Sequence, residues 1–77
     1  MSNFKKYYNM FLDNLIKKEK YKITFDDNAE IVCIPFCGSF VTPGDDTEFS
    51  LLVEEGNKKE TINKKFSSIK KVEKYIK

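Results

Sequence analysis

The stretch Ser67-Ser68-Ile69-Lys70-Lys71-Val72-Glu73-Lys74-Tyr75-Ile76-Lys77 decides the fold, because its reading sets what closes the chain. Either serine can cap a helix, and Ile69, Val72 and Ile76 recur at spacings of three and four with Tyr75 beside them. The spacing predicts a short terminal helix. At the other end, residues 3–18 carry Phe4, Tyr8, Phe11, Leu12 and Leu15 at the same period, with Ser2 or Asn3 as cap. Tyr7 lies off that stripe as an exposed contact. A second amphipathic helix is expected there, ending in Lys17, Lys18 and Lys20, where positive charge complements the helix dipole.

Between the two lie short β-branched and aromatic runs. Tyr21–Phe25 and Glu30–Phe36 flank Asp26-Asp27-Asn28, a turn signal, and read as a β-hairpin. Residues 37–48 contain Pro43-Gly44-Asp45-Asp46 and form the longest irregular connection. Phe49–Val53 is a third strand, Glu54-Glu55-Gly56-Asn57 a tight turn, and Glu60–Phe66 a fourth run. The expected fold is α+β: helix, a three- or four-stranded antiparallel sheet, helix, with both helices on one face of the sheet. Its 77 residues form a single small domain, which buries about 60 to 65% of the surface its unfolded chain exposes.

Charge is segregated along the chain. Residues 1–22 carry +4, residues 23–57 carry −8 with no basic residue, and residues 58–77 carry +6, for a net +2. In a meander, the turns holding Asp26, Asp27, Glu54 and Glu55 share one end of the sheet, while Asp45, Asp46 and Glu48 lie at the other. Opposed patches of this kind steer encounters and select partners. All fourteen basic residues are lysine and His is absent; that bias resembles the coding of AT-rich genomes, such as low-GC bacteria and their phages.

Catalytic sets are missing. Without His, the common activating partner of Cys33 and Cys37 is gone, and a Ser-His-Asp arrangement is ruled out. A C-x3-C pair alone does not complete a tetrahedral zinc site, and no Gly-rich phosphate loop occurs among three glycines. The expectation is a protein that is not an enzyme and uses no cofactor or metal. Residues four apart on a strand stand about 13 Å apart, too far for a disulfide unless Pro35 bends the chain. Reduced thiols fit a cytoplasmic setting, and the absence of a long apolar run gives no export signal and no membrane partner.

The run Lys70-Lys71-Val72-Glu73-Lys74 resembles the K-K-x-x-K that opens the second helix of double-stranded RNA-binding domains, whose helix-strand-strand-strand-helix order is also similar. That resemblance implies nucleic-acid binding through Lys64, Lys65, Lys70, Lys71 and Lys74. In size, composition and element order the chain is also similar to small phage-encoded anti-CRISPR inhibitors. This second resemblance implies that Asp26, Asp27, Asp45, Asp46, Glu48, Glu54 and Glu55 face the basic surface of a partner. The leading expectation is a non-enzymatic protein-binding module, an inhibitor or accessory factor of a phage or mobile element, acting by steric or charge-based blocking. Its partner would be another protein or a ribonucleoprotein. The alternative is the nucleic-acid-binding domain, and a monomer or a homodimer joined through a strand edge fits either.

Overall fold

A computed structural model describes residues 3–38, 44 and 46–75. Its order is helix α1 (Asn3–Lys17), strands β1 (Tyr21–Phe25), β2 (Glu30–Phe36), β3 (Glu48–Glu55) and β4 (Lys58–Lys65), a 3-10 turn (Phe66–Ser68) and strand β5 (Ile69–Lys74). The five strands form one antiparallel sheet in the order β4-β3-β2-β1-β5. The protein is therefore α+β with an antiparallel sheet, as expected, and the first four strands fall within two residues of where the sequence puts them, with Glu54 and Glu55 in β3 rather than in the turn and Phe66 in the 3-10 turn rather than in β4.

The final element is a correction. Ile69–Lys74 is a strand paired with β1; α1 is the one α-helix among the described residues, and Ile76 lies outside them. The helix-like spacing of Ile69 and Val72 has a strand explanation. Ile69 sits opposite Phe25, Lys71 opposite Thr24 and Val72 opposite Ile23, so Lys70 is an extra residue at a register shift. A bulge inserts one residue without a partner, and this one turns two side chains three apart toward the same interior. Helical periodicity and a bulged strand thus look alike over so short a span.

The sheet is sharply curled, and β2 shows where. Its first half, Glu30–Cys33, pairs with β1, whereas its second half, Ile34–Phe36, pairs with β3. At the opposite corner the chain passes from β4 to β5 within the 3-10 turn. The Phe66 N–H still donates to Thr47 O, before β3, while Ser68 O already accepts from Asp26 N–H, after β1. Two hairpins carry the remaining reversals. Gly56 adopts φ +59° at the first central position of the two-residue β3–β4 loop, where a II′ turn calls for glycine. In the β1–β2 turn Asn28 takes φ +66°, and Asp27 Oδ1 accepts from the Ala29 N–H.

Helix α1 packs against β2 and the 3-10 turn. Its buried stripe is Phe4, Tyr7, Phe11 and Asn14. Tyr7 is thus interior, correcting its reading as an exposed contact, and Leu15 stands outside. Phe66 is the hub of the core, with ring centroids 5.2, 5.7 and 5.0 Å from Phe4, Phe11 and Phe49. Ile23, Phe25, Cys33, Cys37, Leu51 and Ile69 complete the buried hydrophobic set around it.

Asparagines clamp the helix at both ends. Asn3 Nδ2 donates to Phe66 O and Ile69 O at 2.9 and 2.8 Å, so the residue read as a cap instead fastens the β4–β5 corner. Asn14, 1% exposed, donates from Nδ2 to Glu19 O and Pro35 O at 2.9 and 2.7 Å and accepts from Glu19 N–H at 2.8 Å. Lys18 ends the helix in the left-handed region at φ +55°, its N–H donating to Asn14 O. Pro35 leaves its carbonyl facing the space beyond the start of β1, and the Asn14 amide fills that position.

Replacing Asn14 by Leu would strand the Glu19 N–H and the Pro35 carbonyl without partners. Each buried orphan costs about 1–3 kcal/mol, so Asn14→Leu should lower the urea-unfolding free energy by at least about 2 kcal/mol. Asn9→Ala, on the exposed side of the same helix, should change it by less than about 0.5 kcal/mol. Equal effects would deny Asn14 its role.

Candidate protein-docking surface

After Glu30, strand β2 reads Ile31-Val32-Cys33-Ile34-Pro35-Phe36, apolar at each of these positions. A strand with one face on the core needs apolar residues at alternate positions only. The interior takes Cys33 and Pro35, with Ile31 half-buried. Val32, Ile34 and Phe36 are left on the outer face, and β3 adds Leu52 there, opposite Ile34. Helix α1 extends this surface at its C-terminal end through Leu15, which the register of the buried stripe leaves 47% exposed, and Ile16 beside it in sequence is 85% exposed.

The result is a groove of about 300 Å3 lined by Leu15, Ile34, Phe36 and Leu52, with Asn14 at its base and Lys18, Glu54 and Lys59 at its edges. It runs into a second cleft of about 440 Å3 that shares Ile34, Leu52 and Glu54. Large apolar surfaces rimmed by charge are where macromolecular contacts form, which makes this groove a candidate. The signal for it was present in the unbroken apolar runs of β2 and of Leu51-Leu52-Val53. Sequence reasoning read those runs only as strands.

The acidic residues singled out from the sequence lie at turns and strand ends. Asp26 and Asp27 occupy the β1–β2 turn, Glu54 and Glu55 close β3 at the same end of the meander, and Asp46 and Glu48 lie at the start of β3, all exposed. Asp45 falls outside the described residues. Register sets lysines opposite several of them: Glu48 faces Lys65, Glu54 faces Lys59 and Glu55 faces Lys58. The segregation of charge along the chain becomes alternation across neighbouring strands, a favourable cross-strand arrangement.

The lysines of the nucleic-acid reading are strand residues, with Lys64 and Lys65 on β4 and Lys70, Lys71 and Lys74 on β5. The helix that would have presented the last three does not form. Lys64 Nζ lies 5.4 Å from the Phe25 ring centroid, Lys70 Nζ donates to Asn28 Oδ1 at 2.8 Å, and Lys74 pairs with Glu19 at 3.0 Å. Lys71 pairs with Glu73, which also meets Lys22 at 3.3 Å, and Lys22 reaches Glu30 at 4.0 Å. Hydrogen bonds and charge from Lys71 and then Lys22 hold the Glu73 carboxyl below its usual range. Glu73 raises Lys71 in return, and Glu19 raises Lys74. Since β4 and β5 are the outermost strands, their lysines also guard open sheet edges against uncontrolled pairing.

Cys33 and Cys37 are buried free thiols. Burial pushes the Cys33 thiol from 9.0 up to about 12, and Cys37 moves in the same direction for the same reason. A thiolate is the reactive form, so neither is poised for chemistry. Among the described residues, no group of three or more His, Cys, Asp or Glu side chains is placed to hold a metal, and no helix is long and apolar enough to cross a membrane.

The comparisons with known proteins return no matching family model, no matching curated protein and no matching solved structure.

The Cys33 thiol sets a pH dependence. Below about pH 9, native and unfolded chains both hold the proton; from there toward pH 12, the unfolded chain releases it while the native one keeps it. Stability must therefore fall as pH rises, by at most about 1.4 kcal/mol per pH unit for this one group. The stability difference between wild type and Cys33→Ala, followed by urea unfolding, should be constant from pH 6 to about 8.5 and shrink above about pH 9. A difference that stays flat to pH 11 would place Cys33 in contact with solvent.

Proposed function

We propose that the protein is a non-enzymatic binding module whose partner is another protein, held on the outer face of β2 and β3 and the C-terminal end of α1. The observation that carries this reading is the surface of Leu15, Val32, Ile34, Phe36 and Leu52, five apolar side chains that the fold leaves outside its core. Interfaces draw most of their affinity from a few buried apolar anchors inside a polar rim. Lys18, Lys59 and Glu54 supply such a rim. Small size and phage-like composition support extending the reading to an inhibitor or accessory factor that acts by covering its partner's surface.

Because Ile16 and Leu15 are exposed, their replacement tests binding without touching the core. Ile16→Asp with Leu15→Asp should keep the native circular dichroism spectrum. It should weaken capture of the partner that wild-type protein retrieves from cells at least tenfold, since truncating an interface anchor costs upwards of about 1 kcal/mol. Retention by this variant, together with affinity for labelled duplex RNA or DNA that falls linearly in log salt, would transfer the function to the lysines of β4 and β5.

A further inference from the structure

The pairing of β2 with β3 stops at Ile34 opposite Leu52, although β2 extends back to Glu30 and β3 onward to Glu55. Over those spans β2 is paired with β1 on its other side, and β3 with β4. The two hairpins therefore diverge, each turning an open backbone edge toward the gap. The gap is the cleft of about 440 Å3, with Ile31, Cys33, Val53 and Ile62 among its apolar lining residues. Glu30, Glu54, Glu55 and Glu60 line it against one lysine, Lys20.

We propose that this cleft takes an extended basic segment of the partner, with Lys or Arg alternating with apolar residues, which adds as a strand to the open edges of β2 and β3. The proposal rests on the protein-binding reading and names the part of the partner that enters here. Three requirements of strand addition meet in one place. Open edges of β2 and β3 offer donors and acceptors to an incoming backbone. The apolar lining receives every second side chain, as the period of a strand demands. Of four carboxylates against one lysine, Glu30 and Glu54 alternate with Ile31, Cys33 and Val53 along their strands, so they select cationic side chains for the intervening positions and disfavour an acidic segment. A nucleic-acid strand fits none of the three, since its phosphates would meet the carboxylates.

The probe is a six-residue peptide of alternating lysine and valine with blocked termini, titrated into the 15N-labelled full chain. Amide shifts should concentrate at Glu30–Cys33 and Val53–Glu55. Glu30→Gln with Glu54→Gln should weaken binding about five- to tenfold at low salt, as expected for the loss of two exposed charge pairs, and leave the spectrum of the free protein native. A peptide N-methylated at alternate residues, which keeps charge and side chains but loses the donors of one edge, should bind at least tenfold more weakly in one of its two phases. Unchanged affinity for both methylated peptides would overturn strand addition. Equal binding of an alternating glutamate and valine peptide, or shifts confined to residues outside the cleft, would overturn the site. If the peptide fails while Ile16→Asp with Leu15→Asp still releases the native partner, this inference falls and the docking surface stands.

Discussion

Phe66 must be buried for the rest of the molecule to close. Its ring lies between helix and sheet, against Phe4, Phe11 and Phe49, and its backbone stands at the corner where the chain leaves β3's neighbourhood for that of β1. Three residues suffice for that passage only because the sheet is curled enough to bring the start of β3 near the end of β1. Burial of one large ring thus fixes the path of the backbone as well as filling space. The helix follows from it: Asn3 bonds the two carbonyls that flank the corner, and Asn14 bonds a third on β2, so α1 is held by specific polar contacts at both ends of its aromatic stripe.

Such an arrangement explains why the outer surface has the character it does. A helix rotated to aim Tyr7 and Asn14 inward leaves Leu15 and Ile16 outside, and a strand that changes partners midway exposes backbone edge on one side of the change. Both consequences fall on the same side of the molecule, next to the apolar outer residues of β2 and β3. The candidate surface is a by-product of how the core is satisfied.

Much of the fold was legible in local pattern. Asp26-Asp27-Asn28 and Gly56-Asn57 announce their turns, and the β-branched and aromatic runs beside them announce β1 to β4, because turn chemistry and strand periodicity act over a few residues. The terminal strand was not legible: a bulge at Lys70 gives Ile69 and Val72 a helical spacing, and its cause lies in pairing with a strand more than forty residues away. Tyr7 was misplaced because the buried stripe ends in Asn14, a polar residue whose partners, Glu19 and Pro35, become visible only in three dimensions. Charge misled for the same reason. Lysines in one segment and carboxylates in another suggest opposed faces, but antiparallel register lays Glu48, Glu54 and Glu55 beside Lys65, Lys59 and Lys58. Of the site, the unbroken apolar run in β2 was the readable sign.

The clasp between Asn3 and the β4–β5 corner joins positions 63 and 66 residues apart, and β5 closes on β1 across a comparable span. During synthesis, a nascent chain that has emerged only as far as β4 lacks the residues that complete both the helix anchor and the last edge of the sheet. Such long-range closure is slow relative to local folding. The native structure can therefore form only after β5 has been made, and a chain cut short before Phe66 leaves its aromatic stripe open to proteases.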